Sequence, residues 1–170
     1  MIDYKKIYET IGELTPIKAD CGTLCNKACC VGDLDTGMYL YPNEEKIYRN
    51  GVNFARIFKS EFLYYFEGKS KETYILICNG TCDRELRPLA CRIFPFIPYM
   101  DSEGEVEIIV DPRAESMCPL ASCADEVEFD DEFIDRVAES FSLGIEDDEF
   151  VAFVKAQSKL IDEYEENAFI

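Results

Sequence analysis

The sequence contains no histidine. Imidazole is a ligand in Cys-His zinc fingers, HExxH hydrolases and two-His-one-carboxylate iron sites, and it is the general base of Ser-His-Asp triads. Its absence excludes all four kinds of site. Any metal that this chain binds must be held by sulfur, carboxylate or backbone oxygen.

Basic residues are few relative to acidic ones. The chain has 17 lysines and arginines against 35 aspartates and glutamates, which gives a net charge of −18. A surface of this sign repels nucleic-acid phosphates and anionic lipid headgroups. We therefore expect neither nucleic acid nor a membrane as a partner.

Long apolar runs are also missing. No apolar stretch reaches the length of about 18 residues that a membrane helix needs, and the N-terminal MIDYKKIYET lacks the apolar run of a signal peptide. These features predict a cytoplasmic location, where disulfides are rare. No nucleotide-binding glycine loop, acid–base pair or internal repeat stands out, so no catalytic residue is predicted. With 170 residues, 48% of them hydrophobic, the chain predicts one folded domain spanning 1–170.

What the sequence has in excess is cysteine, with nine residues in three groups. The groups are Cys21, Cys25, Cys29 and Cys30 in CGTLCNKACC; Cys78, Cys82 and Cys91 in CNGTCDRELRPLAC; and Cys118 and Cys123 in CPLASC. Cysteines that only pack in a core would be scattered. Closely spaced cysteines bring several sulfurs together at low loop-closure cost, so the pattern favours metal ligands over packed thiols.

The spacing leaves the kind of metal open. If the first group is helical, Cys21, Cys25 and Cys29 share one face, and the adjacent Cys30 points elsewhere. Cys29 and Cys30 then serve different metals, or one is a ligand and the other packs. Thiolates select zinc, copper(I) or iron–sulfur clusters, and spacing does not separate zinc from an iron–sulfur cluster. The gaps miss the CxxxCxxC pattern of radical S-adenosylmethionine enzymes by one residue, which weakens that interpretation.

Hydrophobic periodicity predicts an α+β fold. We expect a helix over 2–14, a short strand leading into a helix over 37–50, strands within 53–58, 61–68, 72–78 and 105–112, and two amphipathic helices after residue 125 separated near Gly144. The apolar positions of the two helices are Phe129, Phe133, Val137 and Phe141, then Phe150, Val154, Ile161 and Tyr164. In this picture, irregular cysteine loops and a few short strands over about 18–123 pack with helices at both chain ends. The acidic segment 125–170 is helical.

Several motifs together carry a family resemblance. They are CGTLCNKACC, which ends in a cysteine pair; the NGTC turn; RPLACRIFPF, close to an RPxxCRxFP signature; and the later CPLAS. In this order they resemble the CxxCxxCC family, a group of cysteine-cluster proteins to which zinc or iron chelation is ascribed and which includes the flagellin lysine N-methylases. The first-cluster gaps of three and three are closer to the methylase branch, and DREL replaces the aromatic pair that often precedes the RP signature. The chain is far shorter than a methylase, so the resemblance does not transfer that activity.

The resemblance implies a set of metal ligands. Transferred position by position, the family's cysteines fall on Cys21, Cys25, Cys29, Cys30, Cys78, Cys82, Cys91 and Cys118, and Cys123 has no counterpart. Arg87 and Arg92 flank Cys91 in the signature, so we expect their charges to offset that of the thiolates around the metal.

Two classes of function stay open from the sequence. The favoured one is a metal-binding protein that chelates, delivers or senses zinc or iron through cysteine, with the metal ion as its partner. The alternative is an iron–sulfur enzyme or redox protein that acts on a protein substrate, for example with a methyltransferase-like activity. We expect zinc after aerobic purification, because zinc is redox-inert, and an iron–sulfur cluster is the alternative cofactor.

Overall fold

The computed structural model describes residues 2–30, 37–80 and 82–168. Its α-helices are α1 (Tyr4–Ile11), α2 (Leu89–Ile93), α3 (Pro119–Ser122), α4 (Asp131–Gly144) and α5 (Asp148–Ala168). Its strands are β1 (Met38–Leu40), β2 (Ala55–Phe66), β3 (Lys69–Cys78), β4 (Phe96–Met100) and β5 (Val106–Val110). Short 3-10 turns lie at Cys21–Thr23, Ala28–Cys30, Glu44–Tyr48, Arg84–Leu86, Pro112–Ala114 and Ala124–Glu126. Helices and antiparallel strands occur together, so the predicted α+β class is confirmed.

Helix α1 is shorter than the predicted 2–14. It begins after Asp3, whose Oδ1 accepts a hydrogen bond from the backbone N–H of Lys6 at 3.1 Å, and its buried face carries Ile7 and Ile11. Gly12 follows with φ of +62°, a left-handed backbone that ends a right-handed helix. The apolar pattern beyond Gly12 therefore does not extend α1.

A three-stranded sheet in the order β1-β3-β2 forms the middle of the molecule. The predicted pair of strands over 53–58 and 61–68 is instead the single strand β2, whose pairing with β3 shifts register between Lys59 and Leu63. Lys59 and Ser60 are neither glycine nor proline, so the chain does not turn there. The register shift instead accommodates the change in which side chains face each side of the sheet. The predicted strand over 72–78 is confirmed as the second half of β3.

The predicted helix after β1 is also different in the structure. The chain forms only a 3-10 turn at Glu44–Tyr48 rather than an α-helix. Asn43 precedes it in a left-handed conformation, with φ of +70°, and its side chain makes no capping hydrogen bond. An α-helix that starts without a cap is poorly stabilised, and the 3-10 segment ends after fewer than two turns.

A second sheet pairs β4 with β5. The prediction over 105–112 is confirmed by β5, but β4 was not predicted, and it contains Pro98, a residue that is uncommon within strands. Pro98 lies opposite Ile108 in a sheet of only two strands. Because no third strand lies beside β4 in the described part of the chain, the missing N–H of Pro98 does not deprive such a strand of a hydrogen bond. Strand β4 is held from the other side by α5, where Ser158 Oγ accepts a hydrogen bond from the backbone N–H of Met100 at 2.8 Å.

The main core is aromatic and lies between the terminal helices and the sheets. Buried side chains of α1, α4 and α5 meet there with Tyr41 and Tyr64, and Phe153 has no exposed surface. Helices α4 and α5 confirm the predicted pair, and they separate at Gly144, where an added Cβ would lie 2.7 Å from the Phe150 ring. Two predicted positions on these helices are wrong. Phe129 precedes α4, and Tyr164 lies on α5 but is 42% exposed on its last turns, which extend beyond the core.

Candidate metal centre

The first cysteine segment is not a continuous helix. It consists of the two 3-10 turns at Cys21–Thr23 and Ala28–Cys30, with Asn26 and Lys27 between them in left-handed conformations, at φ of 50° and 60°. A backbone hydrogen bond from Lys27 N–H to the Gly22 carbonyl, at 2.9 Å, closes this reversal. The shared helical face considered for Cys21, Cys25 and Cys29 is therefore absent. A folded-back loop brings these cysteines together instead.

The second cysteine group is positioned by two regular elements. Cys78 is the last residue of β3, Cys91 lies within α2, and Cys82 is in the loop between them. Arg87 in the same loop donates a hydrogen bond from Nε to Cys82 Sγ at 3.2 Å. Strand, loop and helix thus present three thiols and one guanidinium to the same region.

The eight predicted ligands line two adjoining cavities. The larger has a volume of about 360 Å³, and we call it the cysteine cavity; its cysteines are Cys21, Cys29, Cys30, Cys78, Cys82 and Cys91. The smaller, of about 10 Å³, is lined by Cys21, Cys25, Cys29 and Cys118. Cys123, which the resemblance leaves without a counterpart, is exposed after α3.

The thiols that influence one another's pKa values form two groups, which overlap at Cys29 and Cys30. Burial raises the pKa of Cys91, and negative charge on Cys30, Glu44, Cys82 and Cys78 raises it further. Burial likewise raises the pKa of Cys21, and charge on Cys118, Asp20 and Cys25 adds to the effect. We call Cys30, Cys78, Cys82 and Cys91 the Cys91 set, and Cys21, Cys25, Cys29 and Cys118 the Cys118 set.

The pair at Cys29 and Cys30 connects the two sets. A hydrogen bond between the two side chains lowers the pKa of Cys30 to about 6, with Arg87 and Lys27 adding to the effect against the cost of burial. The same hydrogen bond, together with burial, raises the pKa of Cys29. The two shifts are opposite in direction and share one cause, the hydrogen bond between these adjacent side chains.

The arrangement has a chemical consequence for cation binding. Several thiols with mutually raised pKa values do not ionise together unless a cation is supplied, and a divalent metal supplies that charge. Among the residues that the structure describes, however, no group of three or more cysteine, aspartate or glutamate side chains has the spacing to hold a metal ion. The donors fit a soft metal by chemistry, and binding would require the sulfurs to move closer together.

The two predicted arginines differ in their surroundings. Arg87 lies beside the thiols, and charge on Cys82, Cys30 and Cys91 raises the pKa of its guanidinium against the opposing effect of burial. Arg92 instead donates hydrogen bonds to backbone carbonyls of the loop, at Arg84, Glu85 and Arg87. Arg92 thus fixes the loop that carries Arg87, and its role in offsetting thiolate charge stays a prediction.

Glu44, a carboxylate with no exposed surface, is not among the predicted site residues. Its Oε1 accepts hydrogen bonds from the Tyr8 hydroxyl at 2.5 Å and from Leu89 N–H at 2.6 Å, and its Oε2 accepts from Tyr41 N–H at 2.9 Å. Leu89 is the first residue of α2, the helix that contains Cys91. Glu44 therefore ties α1 and the chain after β1 to a cysteine-bearing helix. Its position among acidic neighbours in YPNEEK gave no signal of burial.

Glu44 makes stability depend on pH. Burial raises the pKa of Glu44 from 4.5 to about 7, although its three hydrogen-bond donors and Arg92 oppose the shift. The folded protein thus binds more protons than the unfolded chain between these values, and the free energy of unfolding should fall by about 3 kcal/mol as pH rises from about 4.5 to 7. Urea unfolding across this range should show the fall in the wild type and lose it in Glu44→Gln. The exposed Glu9→Gln is the control and should keep it; the same pH dependence in both variants would contradict this assignment.

Comparisons of the chain with protein family models, with curated proteins and with solved structures found no match. In the described part of the chain, no helix has the length and apolar character required to cross a membrane.

Proposed function

We propose that this protein binds zinc or iron through cysteine thiolates arranged as two neighbouring sets. The observation that carries the proposal is that the two adjoining cavities are lined by the eight cysteines that the family resemblance singles out, while the ninth, Cys123, is exposed. Four thiolates are the usual complement of a structural zinc ion or of an iron–sulfur cluster, and each set supplies four.

The surroundings support the same proposal. Four thiolates around a divalent ion leave a net charge of about −2, which favours nearby cations. Arg87 donates a hydrogen bond to Cys82, and the positive charges of Arg87 and Lys27 both lower the pKa of Cys30. These positive charges occur at the cysteines of a chain that is otherwise strongly acidic.

The volume of the cysteine cavity favours an iron–sulfur cluster as a second candidate for the Cys91 set. A space of about 360 Å³ is far larger than a single ion requires, since a cavity volume of about 10–15 Å³ already holds one water molecule. A cluster would allow electron transfer. The alternative function, an iron–sulfur enzyme or redox protein that acts on a protein substrate, depends on such a cluster. Zinc in both sets would instead make the metal a cargo or a structural element.

Elemental analysis with an optical spectrum on anaerobically purified protein tests the proposal. We expect at least one metal ion per chain, as zinc in aerobic preparations and either zinc or a visible iron–sulfur absorption in anaerobic ones. The control is Cys123→Ser, which should keep the full metal content because Cys123 is exposed. Metal-free protein from both preparations, still folded by circular dichroism, would refute metal binding.

A further inference from the structure

The cysteine cavity is larger than a metal ion needs. Its volume of about 360 Å³ lies within the range of small-molecule sites. Besides the cysteines, its walls include apolar side chains, among them Leu14, Phe54 and Leu76. A single zinc ion leaves most of this space to a further occupant, and the apolar walls suit the body of a small organic molecule.

The charged side chains of this cavity are mostly basic. Four cations line it, Lys27, Arg84, Arg87 and Arg92, together with a single carboxylate, Asp20, which leaves an excess of three positive charges. The whole chain, by contrast, has 35 acidic residues against 17 basic ones. Because like charges repel one another at short range, a local excess of cations favours an anion close by.

The three arginines are neighbours in space, and two of them lack a close carboxylate partner among the described residues although acids are near. All three line one further small cavity, of about 20 Å³, together with Leu14. The terminal nitrogens of Arg84 lie 3.9 Å from carboxylate oxygens of Glu13 and Asp20, too far for hydrogen bonds. Arg92 donates its hydrogen bonds to backbone carbonyls. Neither guanidinium is therefore neutralised by a hydrogen-bonded carboxylate.

Arg87 has the donors best suited to an anion. Its Nε donates to Cys82 Sγ at 3.2 Å, and its two terminal nitrogens make no hydrogen bond to any residue that the structure describes. The two ends of a guanidinium fork match the two oxygens of a carboxylate or phosphate group. Arg87 can therefore hold an oxyanion with its terminal nitrogens while Nε keeps its bond to the cysteine.

A metal site does not use up the positive charge of the cavity. Four thiolates around a divalent ion leave a net charge of about −2, against the excess of three from the other side chains. Of the three arginines, only Arg87 donates a hydrogen bond to a cysteine in the described part of the chain. An anion is thus favoured with zinc in the Cys91 set, and more strongly in metal-free protein.

We propose that the cysteine cavity binds a small organic anion, whose carboxylate or phosphate group is held by Arg87 and Arg84 and whose apolar body packs against the walls that include Leu14. The site exists in metal-free and in zinc-bound protein, so this inference goes beyond the proposed metal binding and does not rest on it. An iron–sulfur cluster would fill the same space, so aerobically purified protein is the form to test.

Benzoate, phenyl phosphate and benzamide are the probes, since they share a phenyl ring and differ in the group that Arg87 would hold. Calorimetry on the full chain should show binding of the two anions, and the tighter one identifies the preferred head group. Uncharged benzamide should bind at least about tenfold more weakly than that anion. Arg87→Gln should weaken anion binding about tenfold, and Arg84→Gln by a smaller factor. Arg136→Gln, which removes an exposed arginine of α4, is the matched control and should bind as the wild type does.

Zinc content, measured in the same samples, separates this site from the cysteines. We expect Arg84→Gln to lose affinity for the anion and to keep the zinc content of the wild type. Loss of zinc together with anion binding in Arg84→Gln would mean that the arginines serve the metal, and it would overturn the proposal. So would wild-type protein that binds neither anion, or equal anion binding by the wild type and Arg87→Gln. Metal-free wild type that binds the anion would refute the proposed metal binding and support this site.

Discussion

In aerobically purified protein, Cys91→Ser and Cys25→Ser are each expected to remove the zinc of one set, which is half of the total, and the double variant is expected to be metal-free. Each of these cysteines lines only one of the two adjoining cavities: Cys91 the cysteine cavity, Cys25 the smaller one. A serine hydroxyl is not ionised at neutral pH and is a poor ligand for a soft metal, so its set loses one of four donors.

The measurement is metal per chain by elemental analysis after gel filtration, with circular dichroism to confirm folding. Cys123→Ser serves as the matched control, because it removes a thiol that is exposed and lies outside both sets. If either single variant lost all of the metal, the eight cysteines would form one site rather than two. Full retention in both single variants would show that these thiols only pack.

Phe153→Ala is expected to lower the free energy of unfolding by about 3–5 kcal/mol, the range for deleting a fully buried phenylalanine. The Phe153 ring has no exposed surface and contacts three aromatic rings, with centroid distances of 5.1 Å to Tyr41, 5.4 Å to Tyr64 and 5.8 Å to Phe62. Its removal leaves a cavity where α5 meets β2 and the chain after β1, and rigid neighbours cannot fill it completely.

Urea unfolding monitored by circular dichroism measures this effect, with the midpoint shifted and the slope unchanged. Tyr164→Ala on the same helix is the control, and its exposed side chain should leave stability within about 0.5 kcal/mol of the wild type. A loss below about 1 kcal/mol for Phe153→Ala would mean that the aromatic cluster rearranges around the vacancy.

The sequence pattern predicted the helices better than the turns. Spacing of about four residues identified the faces of α4 and α5 because a helix repeats one local geometry, and the buried side of that repeat must be apolar. Phe153 was missed because it lies beside the predicted row of apolar positions on α5 and makes the buried face wider than that row. Tyr164 was included in the row, although its turn of the helix lies beyond the core. Periodicity does not show where the neighbouring elements stop.

The cysteine region shows why local patterns are insufficient for a site. The left-handed conformations of Asn26 and Lys27 reverse the first segment, and no glycine at those positions announces the reversal. Which cysteines lie near one another depends on where β3, α2 and α3 lie relative to one another, which is a tertiary property. Glu44 was missed for a related reason, since burial of a polar side chain breaks the hydrophobic pattern rather than following it.

The register shift in β2 bears on how copies of this protein behave in solution. Among the described residues, β2 and β1 pair only with β3, so each has an edge with backbone groups not bonded to another strand. Long flat edges invite pairing with other chains and hence aggregation. Here β1 is only three residues long, and β2 is interrupted between Lys59 and Leu63, where the charged Glu61 lies exposed. Neither edge offers a long regular template, so the irregularity in β2 helps to keep separate molecules from joining their sheets.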